Sequence, residues 1–337
     1  MSTPTRRRVL FICGSLNQTT MMHEIGKHLG QHDCFYTPFY SDGVLRWLTR
    51  NGLLDFTVLG GELRRLTDHY LYQHQLPRDE RGERGEYDLV VTGSDLVVQK
   101  NIRDKPVVLV QEGMTDPEDL GFHLVRAFNL PRWLGSTSTM GLSLAYDRFC
   151  VASPGYRDHF IEKGVPSDRL VVTGIPNFDN CQAFCDNDFP HRGYVLVATS
   201  DTRETFKIDH RPRFFERVRR IANGRPLIFK LHPNEKVPRS TREIMSAFPD
   251  ALVFSHGNTN HMIANCDVLI TQYSTVIYVG LALGKECHSY FDLATLQRLA
   301  PTQNGGTSAR NIARVCEDLL AAETGRRVET ERVRRAS

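Results

Sequence analysis

Three short clusters in the second half of the chain carry side chains that bind anions or move protons. Each directly follows a run of residues typical of buried strands. His232-Pro233-Asn234 comes after Pro226-Leu227-Ile228-Phe229-Lys230-Leu231. A residue before proline is pushed out of helical geometry, so His232 is expected to leave the strand extended and present its imidazole at the strand's carboxyl end. The same ring could instead cap the strand by bonding to a loop. Gln272-Tyr273-Ser274-Thr275 lies between the run Asp267–Thr271 and an expected helix over 275–283. Hydroxyls beside the open N–H groups of a helix start make a phosphate site. Ser274 is equally suited to ordinary N-capping, and one hydroxyl can serve both roles. Thr199-Ser200-Asp201-Thr202-Arg203-Glu204 is the third cluster. There Ser200 and Arg203 could contact phosphate oxygens, or Arg203 could pair with Glu204 in a solvated loop.

In the first half, Glu112 stands within Gln111-Glu112-Gly113, just beyond Pro106-Val107-Val108-Leu109-Val110. A carboxylate at a strand end, followed by a glycine that lets other groups approach, suits a general base, and a capping or ion-paired glutamate is the alternative. Gly14-Ser15 ends the first apolar run and could bring backbone close to an acceptor or a phosphate. Asp95, after Gly93-Ser94, is an acidic candidate, although tight turns use Asp for local hydrogen bonds as well. Ser136 to Gly141 reads as a mobile polar loop, and His23, His123, His256 and His261 show no partner in sequence.

The elements that must position these residues follow from the alternation of short apolar runs with helical patterns. Val9–Ile12, Tyr87–Gly93, Pro106–Val110, Arg148–Ser153 and Leu170–Gly174 read as strands, with a helix over 19–30 after the first. After a polar boundary at 178–191 the pattern restarts with Tyr194–Thr199, a helix over 213–222, Pro226–Leu231, Ala251–Phe254 and Asp267–Thr271. Continuous apolar runs separated by helices indicate parallel strands buried on both faces. The expected fold is therefore α/β, with two Rossmann-like domains whose parallel sheets face a central cleft at their strands' carboxyl ends. Residues 1–180 form the N-terminal domain, 190–320 the C-terminal one, and 321–337 a basic tail. The charged segment 78–86 is expected to be an exposed loop.

Composition narrows the partners. The 337 residues are 40% hydrophobic and 24% charged, with a formal charge of +3, ordinary for a folded protein and too mild for a dedicated nucleic-acid binder. No stretch reaches the roughly 20 apolar residues of a membrane span. Arg6-Arg7-Arg8 before Val9–Cys13 has the opening of a signal peptide, but the apolar run is too short and reads as the first buried strand. The eight cysteines are scattered, and Cys181 with Cys185 lacks the companions of a zinc site, so reduced cytoplasmic thiols are expected and no metal or cofactor. The tail arginines Arg326, Arg327, Arg332, Arg334 and Arg335 read as a solvated end, with contact to anionic lipid at the inner face of a membrane the alternative.

With these residues in view, the chain resembles the glycosyltransferase-B superfamily over roughly residues 9 to 292. One branch comprises bacterial sialyltransferases and glycerophosphotransferases of teichoic-acid synthesis. His232-Pro233 and Ser274-Thr275 look like its His-Pro motif and later hydroxyl pair, which hold the nucleotide phosphate. Gln111-Glu112-Gly113 is similar to the acidic-acidic-Gly motif of the sialyltransferases with the first acid lost, leaving Glu112 as base. Residues 267–286 resemble the glycerophosphotransferase pattern with Gln272 where an Asp is usual. The order Thr92–Asp95, Glu112-Gly113, Val172–Gly174 and Thr202–Phe206 is similar to UDP-N-acetylglucosamine 2-epimerase. That enzyme's His-Arg is replaced here by Asp201-Thr202, and its Ser-Gly-Gly turn by Tyr273-Ser274-Thr275. The resemblance implies a transferase moving a sugar or alditol phosphate from a CMP-, CDP- or UDP-activated donor to a hydroxyl on a glycan, lipid-linked or small acceptor. Glu112 and His232 would be catalytic; Ser200, Arg203, His232, Pro233, Gln272, Ser274 and Thr275 would bind donor; Gly14, Ser15 and Asp95 would face the acceptor. An isomerase acting on a nucleotide sugar and a non-catalytic nucleotide-binding scaffold are the other classes the motifs admit.

Overall fold

The computed structural model describes residues 6–55, 57–118, 120–200 and 210–336, the last of these with backbone alone from residue 324. The chain divides into two compact units, Met1–Asp179 with Asn304–Ser337, and Asn180–Gln303.

Unit 1 is built on six parallel strands: β1 Arg8–Cys13, β2 Asp33–Pro38, β3 Leu89–Thr92, β4 Val107–Val110, β5 Arg148–Val151 and β6 Leu170–Val172. Their order is β2-β1-β3-β4-β5-β6. Val9 to Cys13 of β1 are wholly buried, because β1 is paired on both sides and covered on both faces. Unit 2 carries five parallel strands: β7 Val195–Ala198, β8 Leu227–Lys230, β9 Leu252–Phe254, β10 Val268–Thr271 and β11 Glu286–His288, in the order β11-β10-β7-β8-β9. In each sheet the order reverses beside its first strand, between β1 and β3 and between β7 and β10. In open α/β sheets, ligands bind at this reversal, outside the carboxyl ends of the strands.

Nine of the strands coincide with the apolar runs. The two not expected, β2 and β11, both lie at a sheet edge. An edge strand is covered less fully and does not need a continuous apolar run, so Asp33-Cys34-Phe35-Tyr36-Thr37-Pro38 carries no strand signature. The first helix starts at Leu16 rather than 19, because the Ser15 hydroxyl caps it by accepting from the Gln18 amide.

Three further segments show more than the sequence suggested. In 78–86, Asp79 is fully buried, and its carboxylate accepts from the Glu83 amide (3.2 Å), the Arg84 amide (3.0 Å) and the Tyr87 hydroxyl. Six of the nine residues are exposed as expected, and the charged stretch folds around one buried acid. Residues 136–141 are held in place as well. They join a 3₁₀ segment, Arg132–Thr139, in which Ser138 and Thr139 are buried and the Lys163 ammonium donates to the Ser138 carbonyl.

The third is the C-terminal segment. Residues 304–320, expected in the second domain, pack with unit 1: Ala309, Ile312, Ala313, Cys316, Leu319 and Leu320 join Met21, Met22, Ile25 and Leu29 in its core. Those positions recur at helical spacing on one face of the helix Ser308–Ala336. Asp179 anchors the return, its carboxylate accepting from the Ser308 amide at 2.8 Å. Gly174, at φ +74°, permits the close pass, since a Cβ there would fall 2.2 Å from the Ser308 hydroxyl. The tail continues this helix, and its arginine side chains lie outside the described residues.

Candidate functional site

Each unit gathers polar residues at the carboxyl edge of its own sheet. In unit 1, β1 ends at Gly14-Ser15 and β4 at Gln111-Glu112-Gly113. The Ser15 hydroxyl donates to Glu112 Oε1 at 2.7 Å, and Gln18 Nε2 donates to Oε2 at 2.6 Å. Both donors come from the first turn of the first helix, so the strand-to-helix turn orients the carboxylate. Burial raises the Glu112 carboxyl above the usual carboxylate range, while the bonds from Ser15 and Gln18 pull it back. A proton acceptor in this condition is more basic than a solvated glutamate yet still held in one orientation.

Gln18 is the residue sequence reasoning missed. It needs two glycines: a Cβ on Gly14 would fall 1.8 Å from its Oε1, and one on Gly93 would fall 3.1 Å from its Cδ. Gly14 follows β1 and Gly93 follows β3, so Gln18 occupies the point where strand order reverses. Its spacing of three from Ser15 was the only trace in sequence. Gln111 is buried and used internally, donating to the Gly113 carbonyl (2.8 Å) and accepting from the Ala152 amide (2.9 Å).

Gly14, Ser15 and Glu112 are therefore brought together. Asp95 is not part of this group. Its buried carboxylate accepts from the Gly141 amide and the Ser143 amide, each at 3.0 Å, which fastens the 132–143 segment.

In unit 2, Ala198 of β7 stands level with Lys230 of β8 on one side and Thr271 of β10 on the other. The residues just beyond, Thr199-Ser200, Leu231-His232 and Gln272-Tyr273, emerge side by side. Thr199 Oγ1 accepts from the His232 amide at 3.1 Å, and the Ser200 hydroxyl donates to Gln272 Oε1 at 2.9 Å. The central loop thus ties the His-Pro turn to the loop carrying Ser274 and Thr275. With strands about 4.8 Å apart, the two outer loops stand about 10 Å from each other. The Asn234 amide donates to His232 Nδ1 at 3.2 Å, so a neutral ring carries its proton on Nε2. Pro233 is exposed, and His232, Ser274 and Thr275 are partly exposed.

Glu235, also unforeseen, organises this edge. Its side chain is fully buried and accepts from the His232 amide (3.1 Å), Arg211 (2.6 Å), the Ser240 hydroxyl (3.1 Å) and the Thr199 hydroxyl. The only hint in sequence was its place three residues after His232. Ser274 does not cap by its side chain: the six-residue helix Ile277–Ala282 is preceded by a turn in which the Ser274 carbonyl accepts from Ile277. The Gln272 carbonyl is held by Ser289 Oγ at 2.9 Å and the Tyr290 amide at 3.2 Å. Arg203 falls outside the described residues. All eight cysteines are free thiols, and burial pushes Cys150, Cys266 and Cys287 up to about 12, which suits packing rather than reactivity.

Two doubly wound α/β units with parallel sheets of six and five strands make a glycosyltransferase-B type fold. Solved structures share it. The UDP-GlcNAc 2-epimerase of Neisseria meningitidis bound to UDP-GlcNAc superposes with TM-score 0.56 at 12% identity, covering 92% of this chain and 100% of that one. The Methanocaldococcus jannaschii UDP-GlcNAc 2-epimerase in complex with UDP-GlcNAc and UDP gives 0.53 at 12% identity, with coverages of 93% and 92%. A variant of the wall teichoic acid polymerase TagF gives 0.52 at 11%, with coverages of 96% and 90%. These likenesses are of fold. No described protein family and no curated protein matches the sequence. Among the described residues no helix is long and apolar enough to cross a membrane.

Proposed function

We propose that this protein is a transferase that moves a sugar or alditol phosphate from a cytidine- or uridine-activated donor to a hydroxyl acceptor. Unit 2 would hold the donor. The single observation that carries this reading is the pair of bonds from Thr199 and Ser200, which join the His232 turn to the Gln272–Thr275 loop at the reversal of the sheet. Fold neighbours that hold UDP-GlcNAc or UDP support a nucleotide-activated donor.

In the reaction, the acceptor hydroxyl oxygen bonds to the transferred carbon or phosphorus, and the bond to the nucleotide oxygen breaks. The hydroxyl proton passes to Glu112, whose raised affinity for protons favours the transfer. The nucleotide leaves with additional negative charge. His232 Nε2–H and the Ser274 and Thr275 hydroxyls donate to it, and fixed donors of this kind stabilise charge that develops in the transition state. Arg203 would add a cation to the same oxygens.

The test is a thermal-shift and titration screen of CMP, CDP, UDP and GDP against the wild type, His232→Ala and Ser274→Ala. A ligand at 100 times its dissociation constant adds about 2.7 kcal/mol to folded-state stability. Each substitution should weaken binding, and should cost about 10²–10³ in turnover once a donor is found. Full affinity and turnover in both variants would end this assignment. Deuterium entering the sugar ring from solvent, with no acceptor present, would point to the isomerase instead.

A further inference from the structure

An aromatic corner adjoins the unit 2 loop proposed to hold phosphate. Tyr273 stands two residues past the end of β10, and Tyr290 two residues past the end of β11. Gln272 fastens the two loops together, its carbonyl accepting from the Tyr290 amide at 3.2 Å and from Ser289 Oγ at 2.9 Å. The Tyr273 ring meets the Tyr290 ring at 5.4 Å and 74°, and the Phe291 ring at 5.1 Å and 77°. Arg217 lies 5.0 Å over the Tyr290 ring and braces it against the helix Arg211–Ala222. Tyr273 is nevertheless 49% exposed and Tyr290 37%. Among the described residues neither phenol hydroxyl has a hydrogen-bond partner.

This shape suits a puckered ring better than a flat one. A nucleobase is gripped between parallel faces and read along its polar edge, whereas rings set at 74° and 77° form a corner and not a slot. A pyranose carries C–H hydrogens on its faces, and the negative faces of tyrosine rings attract them. Its hydroxyls find partners in the two open phenols. Two charged groups beside the corner are already engaged, Arg217 with the Ser289 carbonyl at 2.8 Å and Asp292 with the Thr295 amide at 2.7 Å. An alditol chain has no fixed apolar face to offer and loses free rotation when held. Tyr273 directly precedes Ser274 and Thr275, so a group joined to a phosphate held there adjoins the corner. Resting on the donor site proposed above, we infer that the transferred group is a pyranose sugar seated on Tyr273 and Tyr290, and not an alditol phosphate.

The experiment titrates the full chain calorimetrically with UDP-GlcNAc, CMP-N-acetylneuraminate and CDP-glycerol, and with UDP, CMP and CDP. At least one sugar nucleotide should bind. Tyr273→Ala and Tyr290→Ala should each weaken it about tenfold, the loss of one aromatic contact. Tyr273→Phe and Tyr290→Phe keep the ring and should cost less. Affinity for the free nucleotide should be unchanged in all four variants, which also shows that the donor loop is folded. Four outcomes would overturn the inference. The alanine variants bind the sugar nucleotide as well as wild type does; they lose free nucleotide equally, which places the base on the corner; they weaken CDP-glycerol as much as the sugar nucleotide; or wild type binds nucleotides but neither sugar nucleotide. Binding of no nucleotide at all by wild type would instead remove the donor site itself, and this inference with it.

Discussion

Replacing Glu235 with glutamine keeps the side chain's shape and removes its charge, which tests whether this buried acid builds the His232 turn. The carboxylate is fully buried and faces an Arg211 guanidinium whose side chain is 8% exposed. Removing one member of a buried pair costs about 3–5 kcal/mol, because the remaining charge loses its compensation in a medium where water cannot replace it. Urea denaturation with a slope near 2 kcal/mol per molar converts a loss of about 4 kcal/mol into a midpoint about 2 M lower for unit 2. The local signature is the His232 amide, which donates to both Thr199 and Glu235. Its hydrogen exchange should accelerate in Glu235→Gln, and nucleotide affinity should fall although no residue proposed to touch phosphate has changed.

A cycle with Arg211→Met and Glu235→Met isolates the pair, and a coupling of about 1–3 kcal/mol is expected for two groups in direct contact. The double variant should remain below wild type, since Thr199, Ser240 and the His232 amide also lose their acceptor. Additive single losses, or an unchanged exchange rate at His232, would refute this account of what holds the turn.

Two predictions concern unit 1. The Glu112 side-chain carboxyl, followed by carbon NMR, should titrate above the usual carboxylate range. Gly14→Ala should raise the midpoint further by displacing Gln18 from it. A group whose folded pKa is raised stabilises the fold most when protonated. Relative to Glu112→Gln, the wild type should therefore lose stability as pH rises from below the unfolded carboxyl value through the higher folded one, a trend that pH-dependent urea midpoints will register. Asp95→Ala should destabilise unit 1 by about 1–3 kcal/mol, because the Gly141 and Ser143 amides lose a buried acceptor, while nucleotide binding to unit 2 is unchanged.

What the sequence determined by itself was the alternation. A strand buried on both faces must be apolar along its whole length, so the seven inner strands, and the strand-end positions of Glu112, His232 and Gln272, could be read from local composition, and the edge strands β6 and β9 kept short apolar runs as well. The fully wound parallel α/β class followed from the same fact. Edge strands escape this constraint, which is why β2 and β11 were silent. Only the tertiary structure decided which strand ends are neighbours. Thr199 meets His232 across 33 residues, Ser200 meets Gln272 across 72, and Ser15 meets Glu112 across 97. It also decided that Gln18 bonds Glu112, that Glu235 bonds the His232 turn, and that Asp95 bonds the Gly141 and Ser143 amides. A polar side chain's role depends on which donors reach it once water is excluded, and those donors are set by strand order, which no local pattern encodes.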